Sequence, residues 1–173
     1  MNLRDYVRDI PDYPKEGITF FDIAPMLSNP KPFAVIVDRL ADLFVDSGAT
    51  KIVAAEARGF IFGCPLAYKL GMGFVPVRKP GKLPYKSRSV TYDLEYGTDT
   101  LCIHEDAIAP GEKILLIDDL LATGGTAEGM VQLINESGGD IVGSGFVINL
   151  GFLDGAQKMK NAGLDPRFLV EID

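Results

Sequence analysis

Lys113-Ile114-Leu115-Leu116-Ile117-Asp118-Asp119-Leu120-Leu121-Ala122-Thr123-Gly124-Gly125-Thr126 is the stretch on which the fold of this 173-residue chain turns. Its opening is an apolar run that closes on two carboxylates, and it predicts a strand over 113–119. The run does not alternate with polar residues, so both faces of the strand are covered, as in a parallel sheet. Gly124 and Gly125 let the backbone curl so that several N–H groups point inward, and Thr123 and Thr126 add hydroxyls. A helix predicted over 126–137, stopped by Gly138-Gly139, contributes its positive N-terminal end. Together these make a nest for a phosphate monoester beyond the carboxyl end of a strand. Asp118 and Asp119 repel each other unless something engages them, and sugar hydroxyls or a hydrated Mg²⁺ would do so. The plainer alternative is a strand ending in solvated acids, with Thr as a helix cap. Neither GxxxxGK[ST] nor GxGxxG is present.

Outward from this stretch, helix and strand alternate. Helices are predicted over 33–44 and 60–70, strands over 51–56 and 74–77, and a long β-rich run over 141–150. A short helix over 154–162 and a final strand over 168–172 follow. That order implies an α/β fold with a parallel sheet wound on both faces. Residues 1–30 are broken by Pro11, Pro14, Gly17, Pro25 and Pro30, with one helix predicted over 3–10. Residues 79–100 form a basic insertion holding Lys79, Lys82, Lys86 and Arg88. Its ends, 90–94 and 100–103, alternate enough for a β-hairpin, which reads as a mobile flap or as a solvated loop.

Composition narrows the function. Hydrophobic residues make up 47% and charged residues 24%, an ordinary globular balance. No apolar run approaches the roughly 20 residues of a membrane span, and the polar N-terminus does not read as a secretory signal. Cys64 and Cys102 form no CxxC pair, which fits a reducing compartment, and Cys64 is expected to pack within its helix. The net charge of −7 argues against general nucleic-acid binding. His104 is the single histidine, so a multi-histidine metal site is excluded, and we read it as structural or exposed.

Further candidates lie elsewhere. Glu56-Ala57-Arg58-Gly59 joins a strand to a helix, where backbone amides and Arg58 would grip a pyrophosphate, or where Arg58 simply decorates a turn. Arg78, Lys79 and Lys82 suit a pyrophosphate leaving group or form a solvated patch. Phe20 is a candidate for stacking on a purine, whereas Phe20 and Phe21 could equally be core. Glu95, taken alone, is a surface residue of a hairpin.

The segment 114–126 resembles the phosphoribosyl pyrophosphate signature of the type I phosphoribosyltransferases. Gly17-Ile18-Thr19-Phe20-Phe21-Asp22-Ile23-Ala24-Pro25, Glu56-Ala57-Arg58-Gly59-Phe60, Arg78-Lys79-Pro80-Gly81-Lys82-Leu83-Pro84 and Leu94-Glu95-Tyr96-Gly97 extend the similarity over about residues 10–150. These four motifs are similar to the adenine-using branch of that family. The resemblance implies one domain over 1–173: a five-stranded parallel sheet with flanking helices, an N-terminal hood (1–30) and a β-hairpin flap (79–100). It implies the reaction of adenine with phosphoribosyl pyrophosphate to give AMP and pyrophosphate, in purine salvage. Asp118 and Asp119 would then hold the ribose hydroxyls, and Ala122, Thr123, Gly124, Gly125 and Thr126 the 5-phosphate. Arg58, Arg78, Lys79 and Lys82 would face the pyrophosphate, while Thr19, Phe20 and Phe21 would take the adenine. Glu95 would exchange a proton near the purine N7, its pKa raised by enclosure. Mg²⁺ is implied, held mainly by the substrate with no direct protein ligand. A cytoplasmic homodimer is implied as well, with no nucleic-acid or membrane partner.

The family usually carries a basic residue at the position of Phe21. Its base contacts there are largely main-chain, so Thr19 and Phe21 would still read adenine through a carbonyl and an N–H. Hypoxanthine presents the opposite pattern and would be rejected. Three rivals remain. Relatives acting on 6-oxopurines usually place a lysine near the phosphate motif, where this chain has Leu120-Leu121. A non-catalytic nucleotide sensor would need no Glu95 flap, and a DNA-binding version would need a module for which the chain leaves no room. A Mg²⁺-dependent receiver domain would need neither the nest nor the basic insertion.

Overall fold

Continuous apolar strands set the architecture. The computed structural model describes residues 1–94 and 97–173. Its central sheet joins β3 (Lys51–Ala55), β4 (Gly73–Val77), β7 (Lys113–Leu121), β8 (Asp140–Leu150) and β9 (Pro166–Ile172) in the order β4-β3-β7-β8-β9. All four pairings are parallel. The chain steps outward from β3 to β4 and then returns to the other side of β3 to lay down β7. The strand order therefore reverses between β3 and β7, the place where sheets of this kind leave a crevice.

Successive residues of β7 go to opposite cores. Leu115 and Ile117 pack with helices α2 (Pro30–Phe44) and α3 (Arg58–Leu70) on one face. Ile114 and Leu116 pack with α4 (Gly125–Glu136) and with Met159 of α5 (Gly155–Asn161) on the other. All four are fully buried, each contributing roughly 1.5–3 kcal/mol. Helix α2 starts where Asn29 accepts a hydrogen bond from the Lys31 N–H, with Pro30 at the first position.

Three expectations need correction. The N-terminal segment is not a helix over 3–10. A 3₁₀ turn covers Leu3–Tyr6, and β1 (Arg8–Ile10) then pairs antiparallel with β2 (Phe20–Asp22). Ile10 precedes Pro11, which disfavours helical backbone at Ile10, and the second strand satisfies the extended chain. Between these and α2 lies α1 (Ala24–Leu27). The hairpin is also longer and shifted: β5 (Ser87–Asp93) pairs with β6 (Thr98–His104). Only part of it lies in the 79–100 insertion, because Val90, Leu101 and Ile103 are buried core residues packed on the α4 side of the sheet. Cys64 sits on α3 but is exposed rather than packed. His104 is half-buried on β6, edge-on to Tyr85. Among the described residues no helix is long and apolar enough to cross a membrane.

Candidate active site

The turns after β3 and β7 enclose a cavity of about 300 Å³, lined by residues 55–58, Leu94 and residues 118–127. It occupies the point where the strand order reverses. Strand β7 runs two residues beyond Asp119, so both carboxylates lie within the strand rather than at its end. Both are buried, Asp118 at 9% and Asp119 at 3% exposure. Asp118 Oδ1 accepts from the Asp119 N–H at 2.9 Å. Asp119 Oδ2 lies 2.9 Å from Arg58 Nε as an ion pair, yet accepts no hydrogen bond. Burial, then the neighbouring Asp119 charge, pushes Asp118 well above the usual carboxylate range. Burial also raises Asp119, against the pull of Arg58. Two buried acids facing a cavity, one with an oxygen that accepts no hydrogen bond, are costly unless hydroxyl donors reach them.

The loop Ala122, Thr123, Gly124, Gly125, Thr126 closes the other end of the same cavity. Gly124 has φ 87°, the left-handed backbone that a side chain disfavours, and α4 begins at the next residue. The loop is braced from outside by α5. The Gly155 N–H donates to the Ala122 carbonyl at 3.0 Å, and a Cβ on Gly155 would stand 2.3 Å from that oxygen. The N–H groups of the first turn of α4 have no partners within the helix, so the loop is built to receive an anion.

The turn after β3 is tied to the basic segment beyond β4. The Glu56–Ala57 peptide is cis. Glu56 Oε1 accepts from the Lys79 N–H and, at 3.3 Å, from Arg78 Nε. These contacts, the Lys79 amide first, hold the Glu56 carboxyl below its ordinary value. The Lys79 ammonium is paired with Asp99 on β6, and Lys82 is exposed. Of the four predicted pyrophosphate cations, Arg58 lines the cavity, whereas Arg78 and Lys79 are engaged by carboxylates beside it. At the hood, Thr19 is exposed, Phe20 is half-buried and Phe21 is core at 7% exposure. The Phe20 ring lies 6.0 Å from the Arg58 guanidinium and meets Tyr13 edge-on at 5.4 Å. Phe21 instead packs near Phe152, with centroids 6.5 Å apart. Glu95, the predicted proton-transfer residue, lies outside the described residues.

Comparison with known proteins decides the family. The phosphoribosyl transferase domain model matches residues 26–165. The chain belongs to the phosphoribosyltransferase family. It is 65% identical over 165 residues to the adenine phosphoribosyltransferase of Solidesulfovibrio magneticus, covering 95% of this chain and 96% of that one. The crystal structure of adenine phosphoribosyltransferase from Thermoanaerobacter pseudethanolicus superposes with a TM-score of 0.93 at 47% identity, covering 98% of each chain. The Saccharomyces cerevisiae enzyme, complexed with an imino-altritol bisphosphate and adenine, gives a TM-score of 0.87 at 38% identity, covering 96% of this chain and 94% of that one.

Sequence reasoning missed three features in or beside this candidate site. Leu94 reaches the cavity from the hairpin. Lys158 and Asp154 border a neighbouring cavity of about 300 Å³ that shares Thr123 and Leu94 with the first. Tyr92 lies on Gly125 and Gly129 of α4. The four-residue spacing of those glycines, which opens a shallow groove on one helix face, was the available signal.

Proposed function

We infer that this chain is an adenine phosphoribosyltransferase that converts adenine and phosphoribosyl pyrophosphate into AMP and pyrophosphate. The observation that carries the reading is one cavity lined both by the buried Asp118 and Asp119, with an Asp119 oxygen that accepts no hydrogen bond, and by the 122–126 nest. That spacing of acceptors and N–H donors suits a ribose 5-phosphate, and the named relatives supply the base.

In this reading the bond from ribose C1 to pyrophosphate breaks as N9 of adenine bonds to C1, through an oxocarbenium-like transition state. Asp118 and Asp119 accept hydrogen bonds from the ribose hydroxyls and fix the ring. Residues 122–126 donate to the 5-phosphate. Arg58 faces the departing pyrophosphate, with Lys82 behind it, joined by Arg78 and Lys79 once Glu56 and Asp99 yield. Phe20 stacks on the base, Thr19 and Phe21 read it through the backbone, and Glu95 exchanges its proton near N7. Closure of the flap excludes water. Asp118 and Asp119 would meet a Mg²⁺ brought in on the substrate phosphates only through sugar hydroxyls or water, and such an ion would supply charge neutralisation to the leaving group. We further propose one catalytic domain over 1–173, with hood and flap as delimited above, acting as a cytoplasmic homodimer.

The test is AMP formation from phosphoribosyl pyrophosphate and Mg²⁺ with adenine, guanine, hypoxanthine or xanthine in parallel. Turnover with adenine alone is expected. Turnover with a 6-oxopurine would overturn the account of the hood. Tight binding of the sugar pyrophosphate without turnover of any base would point instead to a nucleotide sensor.

A further inference from the structure

A continuous chain of polar contacts joins the 122–126 loop to the turn after β3, and it passes through Tyr92. The Tyr92 ring lies on α4, where a Cβ on Gly129 would be 2.8 Å from Cδ1 and one on Gly125 would be 3.3 Å from Cδ2. The Tyr92 hydroxyl donates to Asp99 Oδ2 at 3.3 Å and stands 3.2 Å from Thr126 Oγ1, a contact in which either hydroxyl can be the donor. Asp99 also takes the Lys79 ammonium, and the Lys79 N–H continues to Glu56.

Counting protons shows what this arrangement does. Tyr92 has one hydroxyl proton and two acceptors in reach. Given to Asp99, it leaves the Tyr92 oxygen to accept the Thr126 proton, and Thr126 then turns only lone pairs toward the nest. A phosphate oxygen is an acceptor and repels that arrangement. Given to Thr126, it fills a Thr126 lone pair and frees the Thr126 proton for the phosphate. Asp99 tolerates the loss because Lys79 and the Thr100 N–H still serve it.

We propose that Tyr92 is a positioning residue for the 5-phosphate: when the phosphate enters, the Tyr92 hydroxyl turns its proton from Asp99 to Thr126 and so turns the Thr126 proton onto the ligand. This rests on reading 122–126 as the 5-phosphate site. Tyr92 touches no substrate and works through Thr126. Hydrogen bonds in such a chain polarise one another, so a Thr126 that accepts from Tyr92 is the stronger donor.

Tyr92→Phe keeps the ring in its groove and removes only the hydroxyl. It should raise KM for phosphoribosyl pyrophosphate about five- to tenfold while kcat and KM for adenine stay within about twofold. Ribose 5-phosphate, titrated calorimetrically, should bind more weakly by the same factor, which tests the idea without turnover. Thr126→Val should give a similar loss, and Tyr92→Phe should add nothing in that background. An unchanged KM in Tyr92→Phe, or a second full loss in the double variant, would overturn the proposal. A wild-type chain that binds ribose 5-phosphate but turns over no adenine would overturn the functional reading alone. A wild type that binds no ribose 5-phosphate would overturn both.

Discussion

The turn after β7 and the segment after β4 both carry concentrated chemistry, yet they differ in what holds their side chains. After β7 the acids and the nest face one cavity along a single run of chain, residues 118–127. After β4 the cations are spoken for: Arg78 by Glu56 and Lys79 by Asp99. The first region presents a buried Asp119 oxygen that accepts no hydrogen bond and helix N–H groups without helical partners, with a single ion pair, Asp119–Arg58, among them. The second must exchange internal ion pairs for contacts with a ligand, and only the surplus counts toward binding. A local motif whose backbone makes the site is legible in order along the chain. A cationic motif is not, because its partners come from other strands.

The largest way to sharpen this contrast is Asp118→Asn/Asp119→Asn. Loss of both charged acceptors should lower kcat/KM by about a hundred- to ten-thousandfold, read as AMP formation. The same variant should melt at a higher temperature at neutral pH. Burial raises both carboxyl pKa values in the folded state. Between the ordinary value of 3.8 and the raised values, the folded chain therefore holds protons that the unfolded chain has released. Stability contributed by these groups falls as pH rises through that window and returns as pH is lowered. The melting-temperature gap between variant and wild type should close toward acid pH, and a gap independent of pH would contradict the burial argument.

Next in size is the neighbouring pair in the hood. Phe21→Ala should cost about 3–5 kcal/mol of stability by emptying a core site, measured by denaturant unfolding. Phe20→Ala should leave stability nearly unchanged and raise KM for adenine about tenfold, the worth of one stacked base. A stability loss in Phe20→Ala equal to that in Phe21→Ala would place both rings in the core.

Gly155→Ala is expected to be smallest. Its methyl would press on the Ala122 carbonyl, costing about 1–3 kcal/mol by overpacking. KM for phosphoribosyl pyrophosphate should rise severalfold with kcat preserved. An unchanged KM would mean that α5 does not brace the loop.

By itself the sequence determined the parallel sheet, through strands too apolar to face water on either side, and the grouping of Asp118, Asp119 and 122–126 at one cavity, because all lie on one local stretch. It also carried the family resemblance. Only the tertiary structure decided the rest. It turned 8–10 into a strand by offering β2 as a partner, and it sent Phe21 into the core while leaving Phe20 beside Arg58. It lengthened the hairpin by burying Val90, Leu101 and Ile103, and it drew Tyr92 onto Gly125 and Gly129. The reason is the range of the forces. Strand burial and turn geometry are written in neighbouring residues, whereas the partner of a charge, a ring or an edge strand is set by what the fold brings alongside it.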